Sequence, residues 1–287
     1  MKVWILGSGG QMGRAMIDAC QVLKIPFVAS KRCDLDITDL EQVKRMGSSG
    51  GFTHMINCAA FTDVDGAEEK SKEAYGVNAL GPENLGIVGR ECGISVVHIS
   101  TDYLFNGEKR SPYLEGDRPA PLNVYGKSKW EGEERLLSEL STACIVRTSW
   151  VFGNNGKNFI SSALSLLRKE EHVQAADDQI NRATYNRDLA HALLDLSFHS
   201  GIFHFANHTP LSRYAILQDF FEEAKERGLP LRCQKITPVL ADSFPTRSPR
   251  PSYSVLSTEK IERVLGRKPR LWKTVLAEYF DYVQPNH

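Results

Sequence analysis

The chain has 287 residues, of which 41% are hydrophobic, and its 35 basic residues balance 35 acidic ones for a formal net charge of zero. This length is enough for one large α/β core and a smaller appended lobe. The charge balance argues against a nucleic-acid or anionic membrane partner, because such surfaces usually need a basic excess.

The cysteines and the N-terminus indicate the cellular compartment. The six cysteines show no C-x-x-C pair and no cysteine–histidine cluster, so we expect neither a disulfide framework nor a metal site. The N-terminus enters a strand-like run directly, without the features of a signal peptide, and no apolar run reaches membrane-spanning length. We therefore expect a protein of the reducing cytoplasm.

Short apolar runs alternate with amphipathic stretches through the first half of the chain. Thr38, with Glu41 three residues later, predicts a capping box at the start of one helix. The alternation predicts βαβ units and an α/β fold with a Rossmann-like, doubly wound parallel sheet. The predicted buried strands cover residues 3–6, 27–29, 55–56, 95–99 and 144–146.

Beyond residue 150 the pattern is less regular. It predicts helices over 158–169 and around 187–198, and a proline-rich turn over 238–251. We expect residues 1–150 to form a Rossmann domain, which later segments rejoin. Residues 151–287 are expected to form mainly a smaller C-terminal lobe that closes over a ligand.

A glycine loop from Gly7 to Gly13 lies between the first strand and the helix that follows. Its spacing is G-x-x-G-x-x-G, which differs from the G-x-G-x-x-G of many dehydrogenases. Glycines there permit a tight turn and let backbone N–H groups approach a pyrophosphate at the helix N-terminus. We predict an NAD(P) site in the first domain, held by Gly7, Gly10, Gln11, Met12 and Gly13.

The end of the second strand bears on the choice of cofactor. It reads Ser30-Lys31-Arg32, and the first acidic residues come only at Asp34 and Asp36. A basic residue at this place suits the 2′-phosphate of NADP, whereas an acidic one suits the free hydroxyl of NAD. We predict NADPH, bound in part by Ser30 and Arg32. NADH remains possible, since both basic residues could be solvated surface charges.

Three polar residues at later positions predict proton-transfer chemistry. Thr101 ends the fourth strand, at the sheet edge where open α/β folds bind ligands. Tyr125 and Lys129 have the i, i+4 spacing of one helix face, and a nearby ammonium would lower the pKa of the tyrosine. We predict Thr101, Tyr125 and Lys129 as catalytic residues, and Tyr125 and Lys129 also as cofactor contacts, because the lysine ammonium can hydrogen-bond the nicotinamide ribose. His98 alternates with apolar neighbours in the strand, and we interpret it as a core residue.

These motifs together resemble the extended short-chain dehydrogenase/reductase superfamily and, within it, the dTDP-4-dehydrorhamnose reductase family. The likeness runs nearly end to end. Besides the glycine loop it includes residues 34–39, 57–65, 100–105, 121–133, 147–153, 158–159, 178–179, Thr184, 188–190, 250–251 and Ser254.

The resemblance implies an activity and a set of contacts. A hydride from NADPH or NADH would go to C4 of dTDP-4-dehydro-L-rhamnose and Tyr125 would give its proton to the carbonyl oxygen, yielding dTDP-L-rhamnose for envelope polysaccharide. Further implied cofactor contacts are Asp36, Ile37, Ala59, Ala60, Phe61 and Thr62. Implied substrate contacts are Thr101, Asp102, Tyr103, Trp150, Asn158, Gln179 and Arg250, with the Arg250 fork suited to the diphosphate.

The chain departs from the family pattern at two places. Asn181 and Ala183 stand where the family usually has glycine and proline, so the base or sugar accepted could differ. Ala15 stands where some members have a metal-binding glutamate. We therefore expect a monomer or a weak homodimer without a bridging metal.

Two alternatives remain open. A nucleotide-sugar 4,6-dehydratase or epimerase with tightly held NAD is disfavoured, because such dehydratases have an Asp-Glu pair where this chain has Asp102 and Tyr103. A non-catalytic NADP-binding regulatory subunit, like the β subunit of methionine adenosyltransferase, is disfavoured by the intact Thr101, Tyr125 and Lys129.

Overall fold

A computed structural model of the protein describes residues 1–154 and 158–283. The first half alternates strands and helices, with a short π-helix at Gly76–Leu80 and a 3₁₀ turn at Asp102–Leu104. Its elements are β1 (Val3–Leu6), α1 (Gln11–Val22), β2 (Phe27–Ser30), α2 (Leu40–Ser49), β3 (His54–Asn57), α3 (Val64–Glu69), α4 (Ser71–Tyr75), α5 (Gly81–Cys92), β4 (Ser95–Thr101), α6 (Val124–Glu139) and β5 (Cys144–Thr148).

The second half has shorter strands and longer connections. Its elements are β6 (Val151–Phe152), α7 (Phe159–Lys169), β7 (His172–Ala176), β8 (Ile180–Arg182), β9 (Thr184–Tyr185), α8 (Asn186–Leu196), β10 (Gly201–His204), β11 (Pro210–Ser212), α9 (Arg213–Glu226), β12 (Lys235–Val239), a 3₁₀ turn (Ala241–Ser243), α10 (Glu259–Leu265) and α11 (Trp272–Val283). Across the described ranges, no helix has both the length and the apolar character needed to cross a bilayer.

The central sheet has six parallel strands in the order β10-β5-β4-β3-β1-β2. Successive side chains of a strand point to opposite faces. In β1, Val3 and Ile5 are buried in the core that includes residues of α1 and α8, whereas Trp4 and Leu6 are buried in the core that includes residues of α2, α5 and α6. Both faces are covered, which explains the uninterrupted apolar strands. The predicted doubly wound fold is confirmed.

The second half contributes to the sheet and also has a core of its own. Strand β10 lies beside β5 as an edge strand of the main sheet. A separate core contains Phe152, Tyr185, Phe220 and Trp272. Three two-stranded sheets surround it, pairing β11 with β8, β12 with β7 and β6 with β9. The domain division at residue 150 stays a prediction.

The predicted capping box at Thr38 is wrong by one residue. Helix α2 is capped by Asp39, whose side chain accepts the N–H of Gln42. Thr38 instead donates its hydroxyl to Asp36 Oδ1 at 2.8 Å. Since the Asp36 carboxylate engages Thr38, the next polar side chain along the chain caps the helix.

Candidate active site

The site lies where the strand order of the sheet reverses. From β1 the chain passes to β2 on one side and then returns to β3 on the other, so β1 and β3 are neighbours at the sheet centre. Loops after these two strands diverge and leave a crevice at the carboxyl edge, where open α/β sheets bind ligands. The glycine loop follows β1, residues 58–62 follow β3, and Thr101 ends β4.

Two cavities, of about 600 Å³ and about 310 Å³, share Gly9, Gly10, Cys58, Ala59 and Ala60 at this edge. The larger one brings together the predicted residues Gly10, Gln11, Met12, Ala59, Ala60, Thr62, Thr101, Asp102, Tyr103, Tyr125, Lys129 and Trp150. The smaller one brings together Gly7, Gly10, Arg32, Asp36, Ile37, Ala59, Ala60 and Phe61.

The glycine loop is held closely against its neighbours. Gly7 has φ +73°, and a Cβ there would lie 2.6 Å from the Ala59 backbone. A Cβ at Gly13 would lie 2.4 Å from the Gly7 carbonyl oxygen. Gly10 is the N-cap of α1 and supplies no side-chain cap. The first N–H groups of the helix therefore remain available to an anionic ligand.

Arg32, one of the two cations in the predicted cofactor set, lies at the smaller cavity. The Arg32 side chain is 72% exposed and forms a 3.3 Å ion pair with Glu73, so it can turn towards a ligand at little cost. Ser30 is buried, and its Oγ accepts a hydrogen bond from Trp4 Nε1 at 2.9 Å. That contact gives Ser30 a structural role at the end of β2.

Tyr125 lies in the first turn of α6, whose N-cap Asn123 accepts the N–H of Gly126. The Thr101 side chain lies near the phenol hydroxyl and favours its ionised form. Its ring meets that of Tyr103 edge to face, with centroids 5.9 Å apart. Burial raises the pKa of Tyr125 above the usual value for tyrosine. The expected lowering of this pKa by Lys129 is therefore not what the structure gives.

The position of Lys129 explains that difference. Its side chain is buried, and Nζ donates to the Ile99 carbonyl oxygen at 2.6 Å. Nζ also lies 3.1 Å from Nε2 of His98, which is itself fully buried. Burial lowers the pKa of Lys129 to about 8. A lysine whose Nζ is engaged by the Ile99 carbonyl oxygen and the His98 ring does little to favour a neighbouring phenolate.

At the other end of the larger cavity, Trp150 has φ +41°, a left-handed conformation that bulky residues rarely adopt. The Arg213 guanidinium lies 4.6 Å from the centre of its ring. Arg213 Nε donates to Gln179 Oε1 at 3.0 Å. Arg213 begins α9 and belongs to no motif, so sequence reasoning missed this contact with the predicted sugar-side residues.

The loop in which Asn181 and Ala183 replace the family's usual glycine and proline contacts the site at Asp102. One oxygen of this buried carboxylate, Oδ2, accepts from Asn181 Nδ2 at 2.7 Å and from Ser254 Oγ at 2.6 Å. The other, Oδ1, accepts from Thr101 Oγ1 at 3.2 Å. Burial raises the pKa of Asp102 to about 6, although these hydrogen bonds oppose the rise. Asp102 is thus engaged mainly by protein donors.

The remaining predicted substrate contacts have protein partners. Arg250 forms a two-pronged ion pair with Asp65, with Nη2 at 3.0 Å from Oδ2, and also donates to the Ser248 carbonyl oxygen at 3.1 Å. Asn158 caps α7, and its Oδ1 accepts the N–H groups of Ile160 and Ser161. Their contact with a substrate stays a prediction.

One polar atom in the larger cavity tests whether the site fits a ligand. Ser100 Oγ is buried, lines this cavity and has no hydrogen-bond partner among the described residues. A buried hydroxyl without a partner costs free energy unless another group satisfies it. Together with the uncapped helix start at Gly10, it suits a long polar molecule with an anionic centre.

Comparison with known proteins identifies the family. The family model described as RmlD substrate binding domain matches residues 1–284. A dTDP-4-dehydrorhamnose reductase from Mycobacterium tuberculosis (strain CDC 1551 / Oshkosh) is 36% identical over 285 residues, covering 96% of this chain and 91% of the relative. The chain belongs to the dTDP-4-dehydrorhamnose reductase family. The predicted family is confirmed, and the protein is an oxidoreductase with a Rossmann fold.

A second relative is named for a different substrate, and a solved relative contains a bound cofactor. A dTDP-4-keto-6-deoxy-D-glucose reductase from Streptomyces niveus is 36% identical over 282 residues, with 96% of each chain covered. The solved dTDP-4-dehydrorhamnose reductase from Bacillus anthracis str. Ames, in complex with NADP, superposes with a TM-score of 0.91 at 30% identity, covering 98% of this chain and 99% of that one.

Proposed function

We propose that the protein uses NADPH to reduce the C4 keto group of dTDP-4-dehydro-L-rhamnose to dTDP-L-rhamnose, with Tyr125 as the proton donor, for cell-envelope polysaccharide. One observation carries this proposal. The Tyr125 and Thr101 side chains line one cavity together, and this cavity extends from the glycine loop to Trp150. A reducible carbonyl between cofactor and tryptophan would lie beside a phenol that holds its proton.

The two connected cavities suit the parts of a dinucleotide. Gly10 and the first turn of α1 would hold the phosphates, and Asp36 and Ile37 the adenosine. Arg32 would turn from Glu73 to a 2′-phosphate, which favours NADPH over NADH. Bound NADPH supplies the hydride.

The pKa of Tyr125 suits reduction. Because burial raises it, the phenol is protonated at neutral pH and can give its proton to a carbonyl oxygen that gains negative charge. Thr101 would then turn its hydroxyl hydrogen from Asp102 to the phenolate, and solvent replaces the lost proton. Trp150, stacked by Arg213, offers a flat apolar face for the sugar.

The test replaces Tyr125 by phenylalanine and follows the loss of NADPH absorbance with dTDP-4-dehydrorhamnose. General acid catalysis contributes roughly 10²- to 10⁴-fold, so kcat should fall by at least about 10² while NADPH binding persists. The matched control is Tyr103→Phe, which removes a phenol from the same cavity and should mainly raise KM. Unchanged kcat in Tyr125→Phe, or no turnover by the wild-type protein, would refute the proposal.

A second candidate is the reduction of another dTDP-4-keto sugar. Asn181, in place of the family glycine, bonds the Asp102 carboxylate that neighbours Thr101. Substrate preference could therefore differ from that of other members. The same assay with dTDP-4-keto-6-deoxyglucose decides between the two, because the physiological substrate should have the larger kcat/KM.

A further inference from the structure

His98 and Lys129 form a buried pair beneath the larger cavity. The ring lies on β4, fully buried, and its Nε2 is 3.1 Å from Lys129 Nζ on α6. Its Nδ1 is 2.9 Å from Nδ2 of Asn57, at the end of β3. The two ring nitrogens therefore face one polar group each, and the role of each nitrogen depends on where the ring proton sits.

Asn57 determines that position. Its Oδ1 accepts the backbone N–H of Ala59 at 3.0 Å. A backbone N–H can only donate, so the amide cannot turn round without placing two donors against each other. Asn57 Nδ2 must therefore face His98, and His98 Nδ1 must accept. The ring proton is left on Nε2, since a neutral imidazole carries only one.

That proton points at Lys129. An ammonium group offers three donors and no acceptor, whereas a neutral amine has a lone pair that can accept from Nε2. Nζ still donates to the Ile99 carbonyl oxygen at 2.6 Å, as either form can. The contacts around His98 thus favour the neutral amine.

We propose that His98 is a positioning residue, which, with its ring proton held on Nε2 by Asn57, favours the neutral amine of Lys129 in the unliganded protein, so that Lys129 takes up a proton from solvent when the dinucleotide binds. The second part rests on the proposed function. Binding would offer acceptors to Nζ, and Lys–NH₂ would take one proton from water to become Lys–NH₃⁺.

Other charged groups around the pair do not produce this effect. Glu133, one turn further along α6, favours the ammonium, but its charge is paired with Arg147 at 2.7 Å. Tyr125, one turn before, is neutral in its usual state because burial raises its pKa. Burial and Lys129 lower the pKa of His98, which keeps the ring neutral. Burial by itself lowers the pKa of Lys129 to about 8, and the His98 contact acts in the same direction.

The first test needs no nucleotide. In ¹⁵N-histidine-labelled wild-type protein, NMR should show His98 with its proton on Nε2. In protein labelled with ¹³C at lysine Cε, one resonance, assigned by its loss in Lys129→Met, should titrate near pH 8 instead of 10.5. A proton on Nδ1, or a Lys129 titration at the ordinary value, would overturn the proposal.

The variant Asn57→Asp should move the His98 ring proton to the other nitrogen. In Asn57→Asp the carboxylate can accept from both Ala59 N–H and His98 Nδ1–H, so the proton should move to Nδ1 and Nε2 should accept from the ammonium. The Lys129 titration should then rise by at least about one pH unit. A reversed tautomer with an unchanged Lys129 titration would contradict the proposal, and the wild-type NMR results stand even if a variant does not fold.

The second test measures proton uptake when NADP⁺ binds, by calorimetry in buffers of different ionisation enthalpy. If binding restores the ordinary lysine pKa of 10.5 from about 8, uptake should be about 0.9 proton at pH 9 and about 0.1 at pH 7. Equal uptake at both pH values would refute the exchange. Absence of turnover would refute the proposed function but leave the NMR results intact, so the two failures are distinguishable.

Discussion

Replacing Asn181 by alanine should destabilise the protein in a pH-dependent manner. Asn181 is fully buried and donates from Nδ2 to Asp102 Oδ2 at 2.7 Å and to Ser254 Oγ at 2.8 Å. The substitution removes one of the donors to a buried carboxylate. A hydrogen bond to a charged partner contributes about 1.5–3 kcal/mol, whereas one between neutral partners contributes about 0.5–1.5 kcal/mol.

The direction of the pH dependence follows from the pKa of Asp102. Its native pKa is about 6, above the ordinary aspartate value of 3.8, so the native state binds more protons between these pH values and loses stability as pH rises through them. The Asn181 hydrogen bond opposes that rise, and its loss moves the native pKa further up. The variant should therefore lose about 1 kcal/mol more at pH 8, where Asp102 is charged, than at pH 5, where it is mostly protonated.

Urea unfolding of the wild type and variant at pH 5 and pH 8 measures this difference. The matched control is Asn84→Ala, since Asn84 is also buried but donates to the Ile37 carbonyl oxygen at 2.9 Å, which does not titrate. Asn84→Ala should lower the free energy of unfolding by the same amount at both pH values. If Asn181→Ala showed no pH dependence beyond that of the control, Asp102 would not be the charged partner that we infer.

Two further substitutions test the core and the glycine loop. Arg147→Met should lower the free energy of unfolding in urea by about 3–5 kcal/mol, because it leaves Glu133 buried without its 2.7 Å partner. The control Arg135→Met, at a surface ion-pair site, should lower it by about 1 kcal/mol or less. Equal losses in the two variants would contradict this reasoning. Gly13→Ala should weaken NADP⁺ binding at least about tenfold, since its Cβ would lie 2.4 Å from a loop carbonyl oxygen. Gly116→Ala meets nothing within 4 Å and should bind normally; equal affinity in the two would refute the reasoning.

Much of the fold follows from local patterns. Runs such as Val3–Leu6 are apolar at every position because the sheet is covered on both faces, and that pattern is legible without knowledge of partners. Element boundaries depend on competition between neighbouring side chains. At α2 the Asp36 carboxylate engages Thr38, so Asp39 becomes the cap, which spacing alone could not predict.

The site was predictable where function imposes a short motif. The glycine loop, Thr101 and the Tyr125/Lys129 pair line the same cavities, as their positions at strand ends and on one helix face suggest. Their electrostatics were not predictable. The pKa of Tyr125 depends on burial and on the direction in which Lys129 points, and that direction is set by Ile99 and by His98.

The effect of the departure at Asn181 depends on residues that are distant in the sequence. Asn181 in place of glycine suggests a changed loop shape, but its partners Asp102 and Ser254 are 79 and 73 residues away in the chain. A buried amide is acceptable there because a carboxylate and a hydroxyl satisfy it. Asp102 in turn accepts from Thr101, which lines the same cavity as Tyr125. Any effect of the departure on the reaction should therefore pass through Asp102 to the proton donor, and it should appear in the pH dependence of kcat as well as in the choice of sugar.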